Sequence, residues 1–150
     1  MKQVLYTAFD IVPSPKGAST HIMHFVRGLV GAGYRVHLIT QGDGALPADD
    51  TYEGATMTRV PPMSDVNFLQ QAVAFGDAVM SHVAKTRCAV AHYRSVWSGL
   101  QLAQSKKQCG YKTLFEGNGL PSIELKYHYP GLRESGVLTK IREQELATLA

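Results

Sequence analysis

The chain has 150 residues, of which 45% are hydrophobic and 18% charged, and its formal net charge is +3. That balance excludes a disordered chain, gives no strongly basic footprint for nucleic acid, and leaves no apolar run of the ~18 residues that span a bilayer. The length suits one domain of ordinary size with a real core.

Met1-Lys2-Gln3 leads straight into an apolar stretch, so the N-terminus reads as neither a signal peptide nor a transit peptide. Val4, Leu5, Tyr6, Ala8 and Phe9 predict a short buried strand. Residues 10–17 read as a loop, because Pro13 and Pro15 lack a backbone donor and restrict the residue before each. From Ala18 the apolar residues Ile22, Phe25, Val26, Leu29 and Val30 recur at helical spacing, and Gly31 and Gly33 close that helix. A second strand follows at 35–40, then an exposed acidic loop at 42–53 and a third strand at 55–60, stopped by Pro61 and Pro62. A long helix is predicted over 66–85 with Asp65 as its N-cap. Beyond it come a strand at 88–93, a helix at 97–108 begun near Ser95 and ended by Gly110, and a strand at 111–115. A polar, aromatic loop at 116–136 and a helix at 137–150 complete the chain. Cys88 and Cys109 form no C-x-x-C pattern, and we read them as reduced thiols of a cytosolic protein.

Strands alternating with helices predict an α/β fold, a Rossmann-like parallel sheet with helices on both faces. Ligands in such sheets bind beyond the carboxyl ends of the strands, where the loops 10–19, 92–96 and 116–133 are expected to converge. A strand feeding a glycine turn at a helix start aims unpaired N–H groups and the positive end of the helix dipole at whatever lies above. Gly17 and Ala18 are therefore a candidate phosphate site, although a plainer reading lets Gly17 simply turn the chain. Neither a G-x-G-x-x-G fingerprint nor a Walker-type loop is present. Lys106, Lys107 and Lys112 form a small basic group that would meet a phosphate or an anionic lipid surface, or simply solvate a helix end. His21 and His24 stand at i, i+3 without an accompanying carboxylate, so no metal site is expected there.

Pro15-Lys16-Gly17-Ala18-Ser19-Thr20-His21, followed by Gly33-Tyr34-Arg35-Val36-His37-Leu38-Ile39-Thr40, resembles the start of a GT-B glycosyltransferase of family 4. That family opens its first helix with a Gly-Gly-x-Glu-x-His loop and enters its second strand with Gly-His-x-Val-x-Val-x-Thr. Val90-Ala91-His92-Tyr93-Arg94-Ser95 lies where the family has a His-containing strand end, and Phe115-Glu116-Gly117-Asn118-Gly119 resembles its E-x-(H/N)-G loop. The likeness runs over nearly the whole chain. It implies that residues 1–150 are the N-terminal half of a GT-B fold, the acceptor-side domain of a longer enzyme whose donor-binding C-terminal domain lies outside this chain. The helical pattern still running at Ala150 without a capping glycine suggests the same.

The resemblance further implies a retaining transfer of a sugar from a nucleotide-sugar donor to an acceptor, which would be a glycan, a lipid-linked sugar or a small molecule. No metal and no other cofactor is implied, and this chain alone is expected to be inactive. A cytoplasmic protein is expected, with peripheral contact to the inner face of the membrane as an option. The face meant for a second domain would be apolar, so self-association is expected.

Position by position, the resemblance places Gly17 and Ala18 against the donor diphosphate, with Lys16, in place of the family's first glycine, adding a direct contact. Ser19 stands where the family has glutamate. His21 matches the histidine of the first turn, and Asn118 and Glu116 match the E-x-(H/N)-G loop, all three toward sugar or acceptor. His92 and Arg94 fall at the strand end assigned to catalysis. Arg94 replaces a histidine there, and its bidentate guanidinium hints at an anionic group on donor or acceptor; a plainer reading makes His92 a buried strand-end residue. Tyr127-His128-Tyr129 and Arg133 would line an acceptor groove. Two other readings stay open: a different Rossmann-like nucleotide binder, such as a dehydrogenase or methyltransferase, or a non-catalytic ligand-binding module. Against the first of these, Thr40-Gln41 stands where a ribose-binding acid would be.

Overall fold

Five short runs that carry β-branched and aromatic residues, and a sixth that begins with two aspartates, form one sheet in the computed structural model, which describes residues 1–150. The strands are β1 (Gln3–Ile11), β2 (Arg35–Gln41), β3 (Asp49–Tyr52), β4 (Ala55–Val60), β5 (Val90–Arg94) and β6 (Lys112–Glu116), in the order β3-β4-β2-β1-β5-β6. All neighbours pair in parallel except β3, which runs antiparallel to β4 at the edge. The helices are α1 (Gly17–Gly31), α2 (Phe68–Lys85), α3 (Val96–Cys109), α4 (Pro121–His128) and α5 (Gly136–Leu149). No helix is long and apolar enough to cross a membrane.

Period-two alternation splits the core between the two faces of β1. Tyr6, Ala8, Val36, Leu38 and Met57 meet Ile22 and Val26 of α1, while Leu5, Ile39 and Tyr93 meet Phe75 and Val79 of α2 and Leu102 of α3. Leu5 and Leu38 are 1% and 0% exposed, so truncating either to Ala would cost about 2–5 kcal/mol. The α1 helix ends as its sequence predicts: Gly33 has φ +84°, its N–H reaches the Val30 carbonyl at 2.9 Å, and the Tyr34 N–H reaches the Leu29 carbonyl at 3.1 Å. This is a Schellman motif, which needs a left-handed residue at Gly33.

The parallel sheet flanked by helices stands as expected, and three local expectations change. The strand β1 continues through Asp10 and Ile11, because proline interrupts pairing only from Pro13 onward, after a cis Val12–Pro13 bond. The acidic loop contains β3, closed onto β4 by a two-residue turn with Glu53 at φ +52° and Gly54 at φ +82°; its Asp-rich sequence hides an edge strand, where charge is favoured. The loop at 116–136 contains α4 and a single 3-10 turn at Pro130–Leu132. A smaller shift moves the start of α2 to Phe68. Asn67 accepts from the Gln70 N–H and the Gln70 side chain accepts from the Asn67 N–H, a reciprocal cap that replaces the one expected from Asp65.

Candidate functional site

The parallel register brings residues from three strands to the same level at their carboxyl ends. Ala8 pairs with Arg94, and Arg94 with Glu116; two residues earlier Tyr6 pairs with His92. Alternation then turns Tyr6, His92, Arg94 and Glu116 to the face that α1 covers. Glu116 is the hub. Its Oε1 accepts from Arg94 Nη1 at 2.5 Å and from Asn118 Nδ2 at 2.8 Å, and lies 3.0 Å from His21 Nε2. Its Oε2 accepts from the Tyr6 hydroxyl at 2.9 Å.

Electrostatics follow from this geometry. Burial alone would raise the Glu116 carboxyl. The adjacent His92, the hydrogen bonds from Asn118 and Tyr6, and the Arg94 charge outweigh it and hold the group at about 2. Burial, together with the Glu116 charge, keeps the Tyr6 hydroxyl protonated far above its ordinary range. Arg94 Nε also lies 3.4 Å from Asp10 Oδ2, so one guanidinium spans two carboxylates. Asp10 is raised by burial, against the lowering pull of Arg94 and Lys16.

His92 lies deep in this cluster. It is 2% exposed, stacks on Tyr6 with centroids 4.4 Å apart, and meets Phe25 edge-on at 4.8 Å. Its Nε2 is 3.3 Å from Glu116 Oε2 but off the line a hydrogen bond requires, and it has no bonded partner. We therefore treat His92 as an electrostatic and packing neighbour of Glu116.

Beside the cluster, the chain turns into α1. Lys16 is the N-cap residue with extended backbone, and its carbonyl accepts from the Ser19 and Thr20 N–H groups. The Gly17 and Ala18 amides head the helix with no acceptor in the chain. A Cβ built on Gly17 would meet nothing within 4 Å. Ser19, 4% exposed, accepts from the Ser14 N–H at 2.9 Å and so ties the entry loop to the helix.

The structure thus brings together His21, His92, Arg94, Glu116 and Asn118, with the turn at Lys16, Gly17 and Ala18 leading into the same α1 that carries His21. Arg94, expected to await a substrate anion, is already paired on both sides. Arg133 does not join the cluster: its Nε donates to the Lys126 carbonyl at 3.4 Å, beside the exposed Tyr127 and Tyr129. Sequence reasoning missed Tyr6, Asp10 and Phe25. The even spacing of Tyr6, Ala8 and Asp10 on one strand was the signal for the first two. No group of three or more His, Cys, Asp or Glu side chains is arranged to hold a metal ion.

The sequence profile described as Glycosyltransferase Family 4 matches residues 15–149. The chain belongs to that family. As a Glycosyltransferase Family 4 domain it is also similar in fold to solved glycosyltransferases. Sucrose-phosphate synthase from Thermosynechococcus elongatus superposes with a TM-score of 0.71 at 13% identity, over 97% of this chain and 40% of that one. A second structure of that synthase is covered in full by 99% of this chain, with a TM-score of 0.54 and 12% identity. The glycotransferase of kitacinnamycin superposes at 0.54 with 14% identity, over 95% of this chain and 38% of that one. At these identities the likeness establishes the fold, a GT-B glycosyltransferase domain. The chain spans 40% of the length of the first synthase structure. Among curated proteins none matches the sequence significantly.

Proposed function

We propose that this chain is the N-terminal, acceptor-side domain of a retaining glycosyltransferase that uses a nucleotide-sugar donor without a metal. The observation that carries this reading is the open first turn of α1, with unsatisfied Gly17 and Ala18 amides, beside the Glu116 cluster. In this reading the amides and the Lys16 side chain receive the donor diphosphate, which takes up negative charge as the sugar–phosphate bond breaks. The exposed edge of the cluster, His21 and Asn118, meets sugar hydroxyls. Arg94, His92 and Tyr6 lie behind it and fix the Glu116 carboxylate, which directs His21 and Asn118 in turn. Arg133, Tyr127 and Tyr129 line the acceptor side.

Calorimetric titration with UDP- and GDP-sugars tests the reading against NAD and S-adenosylmethionine. Weak, saturable binding of a nucleotide-sugar that Gly17→Val weakens roughly tenfold or more is the expected result. Tight binding of NAD or S-adenosylmethionine instead would transfer the site to another class of nucleotide-binding enzyme.

A further inference from the structure

Strand β4 carries an apolar pattern on its inner face that one residue breaks. Ala55 and Met57, each 1% exposed, point into the core beneath α1. Arg59 is the next residue on that face and is 3% exposed. A buried charge in a place that suits valine is costly unless its donors are satisfied. Those of Arg59 go to an unusual set of partners. Nε donates to the Val12 carbonyl at 3.0 Å, and Nη1 donates to the Pro47 carbonyl at 2.9 Å and to Asp50 Oδ2 at 2.9 Å. Only the last is a charge pair, and the Asp50 side chain is 39% exposed.

Two of the three bonds therefore end on loop backbone, one in each of the loops that follow β1 and β2. Val12 is 0% exposed and opens the segment that leads to Lys16 and Gly17. The middle of that segment is held separately, by the Ser14 N–H on Ser19 Oγ at 2.9 Å. The entry to α1 is thus pinned from the sheet by Arg59 and from the helix by Ser19.

We propose that Arg59 is a positioning residue: its buried guanidinium sets the Val12–Lys16 segment, and with it the direction of the Gly17 and Ala18 amides. A lysine offers a point charge without the planar fork that reaches two carbonyls and a carboxylate at once. The relevance to phosphate binding rests on the reading proposed above; the anchoring of the loop does not.

Amide hydrogen exchange resolved by NMR separates the two, using the whole chain, Arg59→Lys and Arg59→Gln, with inorganic pyrophosphate as the probe. In a folded variant, exchange at Ser14 is expected to accelerate at least tenfold, with the β1 and β2 amides protected as in the wild type. The pyrophosphate response of the Gly17 and Ala18 signals should weaken severalfold. Unchanged Ser14 exchange in a folded variant overturns the proposal. Collapse of both variants overturns it too, since Arg59 would then hold up the whole core and not one loop. If Ser14 loosens while wild-type Gly17 and Ala18 ignore pyrophosphate, the anchoring stands and the phosphate reading falls.

Discussion

Glu116 shows how much one side chain organises. Four residues from three other elements and its own loop converge on its two oxygens. Glu116→Gln leaves the Arg94 guanidinium with Asp10 as its one carboxylate partner, and should cost about 1–3 kcal/mol of stability at neutral pH. The sign of its pH dependence follows from a folded value of about 2 against an ordinary 4.5. The stabilisation is complete above about 4.5 and disappears as the pH falls toward 2. Urea denaturation of both proteins at pH 7 and pH 3 checks this; the gap between them should narrow in acid. Gly17 makes the opposite prediction. A Cβ there meets nothing within 4 Å, so Gly17→Val should keep its melting temperature while losing roughly tenfold or more in donor affinity, about the worth of one hydrogen bond to a charged group. A drop in melting temperature that accounts for the lost binding would remove Gly17 from the phosphate site.

Between elements, the clearest coupling joins β2 to α2. His37 stacks on His82 with centroids 4.1 Å apart, and its ring nitrogens lie 2.8 Å from Thr56 Oγ1 and 3.2 Å from Thr58 Oγ1 on β4. Burial, and then the neighbouring His82, push His37 down to about 4. A histidine lowered in this way is neutral in the fold, so stability should fall as the pH drops from about 6.5 through 4. Thermal unfolding across that window should show a loss on the order of 1–3 kcal/mol in the wild type and a flatter profile in His37→Gln. Equal slopes would mean that the stacked pair does not titrate with folding. The same elements show what the sequence made legible. Apolar runs and helix-closing glycines marked all five parallel strands and the four longer helices, because burial and backbone sterics leave a local trace. The β3 edge strand left none, since its pairing with β4 is a tertiary event overriding poor strand propensity in Asp49 and Asp50. Nor was α4 visible: the buried Glu145 of α5 accepts from the Ser122 N–H at 2.7 Å and its hydroxyl at 2.6 Å, holding that helix start from 23 residues away. The motif residues Gly17, His21, His92, Glu116 and Asn118 could be singled out one at a time. That Glu116 is their common partner could not, because it depends on the strand order.

Across the whole molecule, an apolar trough of about 740 Å³ runs between α2, α3 and α5, with Leu69, Val73, Trp97 and Val137 in its walls. Phe68, Leu69 and Val73 are 48%, 42% and 60% exposed, an area of the kind that drives association. Sedimentation should therefore show mass rising with protein concentration, and Val73→Lys should restore the monomer; a clean wild-type monomer at high concentration would refute this. The trough and the Glu116 cluster lie on opposite faces of the sheet, the cluster under α1 and the trough over α2 and α3. The proposed function requires the turn at Gly17 and the loop at Asn118 to serve a single ligand. The most direct test is a titration of the isotope-labelled chain with UDP- and GDP-sugars, followed amide by amide. The account predicts that Gly17, Ala18, His21 and Asn118 shift together along one binding curve. Shifts confined to the trough, or to one of the two loops without the other, would contradict it.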